Sequence, residues 1–281
     1  MTDFVMRPSF IKSAMLCQMR AYYFYVEKLR LPPGIATEFG SAVHRTILER
    51  DQKVKIRTGS YEPIEKLKEC LYDDLEQSSR VVNPDDPEIL DLGGVAKAFG
   101  VYSDTGMSML DKYNENRDLL SGRAVETEII GELGGVTVIG HLDVDVSDNR
   151  ILDLKTRDLT RRGSRRRTPE QVHTDYQYST YAALKAQKTG EQDQFVDEVN
   201  AYKKNPVPDF EVVKSWRGER QHEVLESVVA NLSEVFKQGL MLPVDKGSTN
   251  GWVCSQKWCG AWESVCPYGK RSQVSVALEE R

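Results

Sequence analysis

Apolar and aromatic residues recur at helical spacing from Phe10 to Leu29, and Pro32-Pro33-Gly34 ends that pattern. A second helix is expected from Thr37 or Glu38 past Leu48. Further helical stretches cover 62–80 and roughly 87–116, divided by Asn83-Pro84-Asp85-Asp86-Pro87. The period then shortens to two. Residues 124–130, 136–146 and 150–156 are β-branched and alternating, punctuated by Gly134-Gly135 and Ser147-Asp148-Asn149, which predicts a three-stranded antiparallel meander. After an arginine-rich loop over 157–168 come a helix over about 170–188, strands at 194–203 and 208–215, and a helix over about 219–239. The order predicts an α/β core behind a helical front. It divides into a helical region over 1–120, a core over 121–240 and a cysteine-bearing segment over 241–281.

Alternation in the middle hairpin separates two kinds of residue. Leu142, Val144 and Val146 share one face of their strand, and His141, Asp143 and Asp145 the other; on the next strand Asp153 and Lys155 lie opposite Leu152 and Leu154. If both apolar faces join one core, Asp143 pairs with Asp153, which needs an odd-numbered loop, most simply Ser147 to Asn149. A two-residue turn would set Asp143 across from Leu154 and split the acids between faces. Two opposed carboxylates repel, and a divalent cation with oxygen ligands relieves them. Lys155 points into the same space, where it can orient or deprotonate a water and offset charge on a phosphate. The other Asp-x-Lys, Asp51-Gln52-Lys53, lies on an expected helix without a partner acid and reads as surface, as do His173 and His222.

Composition narrows the class. Of the 281 residues 40% are hydrophobic and 29% charged, which suits a soluble globular chain. No apolar run reaches the roughly 18 residues a membrane helix needs, and the N-terminus lacks a secretory pattern, so a bacterial cytoplasm, or a host's for a phage protein, is the expected compartment. The net charge of −5 argues against a general nucleic-acid coat. Yet Lys155 to Arg167 holds seven basic residues and one acid, a patch that can hold phosphates on an acidic body. Of five cysteines, Cys254, Cys259 and Cys266 lie within thirteen positions and point to a metal site, either iron–sulfur or zinc. Cys70 reads as a buried free thiol.

Five segments in order resemble the PD-(D/E)XK nuclease superfamily, specifically its RecB-type branch. They are Gly40-Ser41-Ala42-Val43-His44, Val125-Glu126, Gly140-His141-Leu142-Asp143, Ile151-Leu152-Asp153-Leu154-Lys155-Thr156 and Gln177-Tyr178-Ser179-Thr180-Tyr181. The resemblance implies a restriction-endonuclease-like core, a central mixed sheet flanked by helices. It implies that His44, Asp143, Asp153 and the Leu154 carbonyl hold Mg2+ or Mn2+, with Lys155 activating water and Glu126 in support. Gln177, Tyr181 and Arg157, Arg161, Arg162, Arg165, Arg166 and Arg167 would engage DNA. Cys17 resembles the early cysteine of branch members, among them the AddB subunit and CRISPR-associated nucleases, in which it joins three C-terminal cysteines around a 4Fe–4S cluster. Here that set would be Cys17, Cys254, Cys259 and Cys266 in a C-terminal Fe–S subdomain, with Trp252, Trp258 and Trp262 as its apolar shell. The expected activity is exonucleolytic hydrolysis of single-stranded DNA, 5′ to 3′, in recombination, repair or CRISPR-like processing. With no helicase motif, unwinding would fall to a partner protein. A catalytically inactive module that binds DNA ends or a partner is the alternative.

Overall fold

The structure, a computed structural model, describes residues 5–160, 163–204, 207–244, 248–255, 259–261 and 265–266. Pro8 opens α1 (Pro8–Leu16), where its missing N–H is no loss. The long first helix expected to Leu29 breaks at Cys17. That residue is extended, and its Sγ accepts the Arg20 N–H at 3.4 Å to cap α2 (Gln18–Ala21), which runs into a π-helical turn, Tyr22–Val26. Next come α3 (Ile35–His44), a π-helical stretch Arg45–Gln52 and α4 (Lys53–Thr58), which together make one continuous rod. The helical front ends with α5 (Ile64–Ser78), α6 (Pro87–Asp91) and α7 (Val95–Asn114).

The core follows as β1 (Ala124–Leu133), β2 (Val136–Ser147), β3 (Arg150–Asp158), α8 (Pro169–His173), α9 (Tyr176–Thr189), β4 (Gln194–Lys203), β5 (Asp209–Val213), β6 (Trp216–Arg217) and α10 (Glu219–Gln238). The single helix expected over 170–188 is two, because the Asp175 side chain caps a fresh start by accepting the Gln177 N–H. Gly134 and Gly135 turn β1 into β2 with φ of +54° and +74°, the left-handed pair a two-residue hairpin turn requires.

The strands form a mixed sheet in the order β1-β2-β3-β4-β5, with β6 beside β4. The β3–β4 pair is parallel; β2–β3, β4–β5 and β4–β6 are antiparallel. Val144, Leu152, Leu154, Val199 and Ala201 face the main apolar core with α3, α5 and α7. The opposite face meets α9: Tyr178 touches Asp153 and Glu198, and Lys185 touches Asp145. This mixed sheet flanked by helices agrees with a restriction-endonuclease-like core.

The described residues divide into two compact units: those of 1–31, 132–138 and 226–281 form one, and those of 32–131 and 139–225 the other. In the first, Phe10 packs edge-on against Tyr25 and Phe236. The second holds the main core and the acidic hairpin. Among the described residues no helix is long and apolar enough to cross a membrane.

Asp51 corrects its surface assignment. It is fully buried, where its carboxylate meets Arg117 Nη1 at 3.0 Å, the Tyr113 hydroxyl at 2.8 Å and the Glu62 N–H at 2.9 Å. The π-helical widening after His44 carries Asp51 and Gln52 inward. His222 is likewise buried rather than exposed.

Candidate metal centre

The hairpin reaches the expected parity by another route. Asp148 and Asn149 make a two-residue turn, with Ser147 opposite Arg150. Between Asp145 and Ser147 the register shifts, so Val146 is an extra residue on β2, and beyond it Asp145 faces Ile151 and Val144 faces Leu152. Continued one step beyond its last pair, that register would set Asp143 across from Asp153. There the Asp143 Oδ2 accepts the Leu154 N–H at 2.8 Å. The parallel register continues the row, since Asp153 faces Glu198 on β4. Three acids therefore cross the middle of the sheet, and all are buried.

His44, at the end of α3, meets this row. Its Nε2 lies 3.0 Å from Asp143 Oδ2 and its Nδ1 3.6 Å from Glu126 Oε1. Glu126 reaches that position through a local distortion, a φ of +50° inside β1, which a residue with a Cβ adopts only at a cost. One donor atom each from His44, Glu126 and Asp143 lies within 4.8 Å of the others, the one such group of three among the described residues. Two observations fit a divalent cation here. The set is one imidazole and two carboxylates, a suitable donor combination. In addition, Glu126 Oε1 and Asp153 Oδ1 are buried with no hydrogen-bond partner among the described residues.

The electrostatics express the crowding. Burial penalises the charged form of Asp143, but Lys155 and His44 outweigh it and hold its carboxyl below the ordinary range. Burial, with Asp143 adding repulsion, pushes Asp153 up to about 6. Burial also raises Glu126. For His44, burial favours the neutral ring, yet the bond to Asp143 and the charges of Asp143 and Glu126 prevail and raise its pKa. A raised folded pKa means that its protonation stabilises the metal-free protein fully below the ordinary histidine value of about 6.5, and that this contribution fades as pH climbs through the folded value. A cation needs the neutral ring. Binding of Mn2+ is therefore expected to release a proton and to weaken as pH falls from 8 to 6. Calorimetry in buffers of different ionisation enthalpy measures both.

Lys155 closes the site. Its Nζ is 2.6 Å from Asp153 Oδ2, and although burial opposes the ammonium, Asp153 and Asp143 hold its pKa above the ordinary lysine value. Beside it a cleft of about 480 Å³ runs between α3 and β3, lined by Thr37, Gly40, Ser41, His44 and Arg45 on the helix and by Leu154, Lys155 and Thr156 on the strand. Gly40 permits this approach: a Cβ there would sit 2.8 Å from Thr156 Oγ1. Gly40→Ala is expected to weaken Mn2+ binding by shifting α3, and Thr156→Ala in the same chain to recover most of the loss, a coupling that a double-mutant cycle reads.

The other sequence candidates lie as follows. Gln177 Nε2 donates to the Tyr181 hydroxyl at 3.2 Å, one turn apart on α9. Arg157 pairs with Glu198 at 2.8 Å, Arg167 with Asp175 at 3.0 Å, and Arg166 with Asp209 and Glu211 at 2.6 and 2.7 Å. Arg165 is exposed, and Arg161 and Arg162 lie outside the described residues. Sequence reasoning missed Tyr178 and Glu198. An acidic pair, Asp197-Glu198, between Val196 and Val199 of an expected strand was the available signal for the second.

The cysteine expectation is corrected. Cys17, Cys254, Cys259 and Cys266 form no group of three or more converging ligands among the described residues, so neither a 4Fe–4S site nor a distinct Fe–S subdomain is present there. Cys17 caps α2 and packs with Met19 and Val253. Burial raises the Cys259 thiol above its ordinary pKa, with Cys266 and Cys17 adding to the shift. Trp258 and Trp262 lie outside the described residues.

No protein-family model matches this sequence, and no curated protein matches it. Among solved structures the chain is similar to one named "Putative exonuclease" from Eubacterium rectale, with 15% identity, a TM-score of 0.56, and 87% of this chain and 86% of that chain covered. A second, SSO0001, shares 13% identity over 73% of this chain and 95% of that one, at a TM-score of 0.31, too low to carry a fold. The expected place in the PD-(D/E)XK superfamily and its four-cysteine branch is corrected accordingly: the four thiols form no group of three converging ligands among the described residues, and the likeness found is one of fold alone. What holds is a distant likeness in fold to a structure named as an exonuclease, with a His44–Glu126–Asp143 group able to take a divalent ion.

Proposed function

We propose that this protein is a divalent-cation-dependent nuclease that hydrolyses DNA phosphodiester bonds, acting on single strands from an end, in the 5′ to 3′ direction. The observation that carries the reading is the convergence of His44, Glu126 and Asp143, with His44 and Lys155 also lining the cleft between α3 and β3. The likeness in fold to the Eubacterium rectale structure named as an exonuclease supports the same class of reaction.

His44, Glu126 and Asp143 would hold Mg2+ or Mn2+. When bound, such an ion polarises a phosphoryl oxygen and lowers the pKa of water. Lys155, held as an ammonium by Asp153, serves as a fixed positive donor to a phosphate oxygen rather than as a base. Leu154 N–H fixes the Asp143 carboxylate. Thr37, Ser41 and Arg45 line the path of the strand on one side of Lys155. Gln177, Tyr181 and the exposed Arg165 and Arg166 are proposed to meet it elsewhere. The test is cleavage of 5′- and 3′-labelled single-stranded DNA with Mg2+ or Mn2+. Shortening from the 5′ end that stops with chelator is expected, and intact substrate under every metal condition would overturn the reading.

A further inference from the structure

Asp153, the acid outside the convergent trio, is gripped by one oxygen only. Its Oδ2 takes Lys155 Nζ at 2.6 Å and the Tyr178 hydroxyl at 2.9 Å, while Oδ1 is buried with no hydrogen-bond partner among the described residues. Tyr178 is fully buried, and its hydroxyl also reaches Glu198 Oε2 at 2.6 Å. Glu198 stands beside Asp153 in the β3–β4 register, and its Oε1 takes Arg157 at 2.8 Å and Arg167 at 3.4 Å. A bare buried carboxylate oxygen and two acids side by side both cost free energy in the empty protein. A divalent cation beside them would relieve both.

Resting on the function proposed above, we infer that Tyr178 and Glu198 are positioning residues that pin Asp153 by Oδ2 and so present Oδ1 to the divalent cation. Arg157 and Arg167 neutralise Glu198, and through it belong to the site's support rather than to its contact with the strand. The single Tyr178 hydroxyl hydrogen is shared between the two carboxylates, so Tyr178 is the element on which the arrangement turns. Outer partners of this kind typically tune metal affinity or activity by about 10–100-fold.

The test compares the wild-type chain with Tyr178→Phe and Glu198→Gln by Mn2+ calorimetry, by thermal unfolding without metal, and by kinetics on single-stranded DNA. Phe keeps the ring and removes only the hydroxyl, so a folded protein is expected. Its Mn2+ Kd should rise by about 10-fold or more, with kcat lowered and KM for DNA unchanged. Gln still accepts the Tyr178 hydrogen without the charge and should give a smaller rise. Unchanged Mn2+ affinity in Tyr178→Phe, or a loss confined to metal-free stability, overturns the inference while leaving the proposed function standing. A wild-type chain that binds no Mn2+ overturns the proposed function itself.

Discussion

Asn in place of Asp143 is expected to lower metal-dependent cleavage by about a thousandfold or more while the protein stays folded. Asp143 Oδ2 lies 3.0 Å from His44 Nε2, and Asp143 belongs to the one convergent ligand group among the described residues. A catalytic cation stabilises transition-state charge by several kcal/mol, and each ~1.4 kcal/mol is tenfold in rate. The amide oxygen can still accept the Leu154 N–H, so the hairpin keeps its local bond. Single-turnover rates on labelled single strands, with the unfolding transition followed in parallel, separate lost chemistry from lost fold. A variant that cuts at the wild-type rate would remove Asp143 from the reaction.

The largest effect on stability should come from the helical front. Arg117→Met is expected to destabilise the protein by about 3–5 kcal/mol, the usual cost of stranding one member of a buried ion pair. Asp51 and Arg117 are 0% and 8% exposed, and the same guanidinium also donates to the Glu62 carbonyl at 2.7 Å. Adding Asp51→Asn should recover much of the loss, because the neutral amide no longer needs a cation and can still accept from the Tyr113 hydroxyl. Urea unfolding of both single variants and the double variant measures the coupling. Additive losses would mean that Asp51 is stabilised chiefly by Tyr113 and the Glu62 amide.

What could be read from residue order was periodicity. The strands of the acidic hairpin, β4 and the long helix α10 follow from alternation and apolar spacing, which survive folding unchanged. Helix interruptions were less legible. At Cys17 and Asp175 a side chain caps a new start, and that choice depends on where the next turn must point rather than on the local pattern. The hairpin is instructive in another way. Parity demanded one extra residue between Asp143 and Asp153, and a bulge at Val146 supplies it in place of a longer loop.

The site was legible in part. His44, Asp143 and Lys155 could be named because a helix, a hairpin and alternation place them. Glu126 was assigned only support, because its turn toward His44 comes from a left-handed backbone that no residue pattern announces. Tyr178 and Glu198 depend on the β3–β4 register, in which Asp153 pairs with Glu198, 45 residues further along the chain. Two readings misled. Cysteine spacing suggested a four-thiol site where no group of three ligands forms among the described residues and Cys17 caps a helix and packs with Met19 and Val253, and Asp51 looked exposed because a π-helical widening changes which face turns inward.

Anomalous diffraction from crystals of the whole chain equilibrated with Mn2+ bears most directly on the centre. A single strong peak within coordination reach of His44, Glu126 and Asp143, lost in crystals of Asp143→Asn, is the expected result. No peak there, or manganese held only by side chains elsewhere, would contradict it.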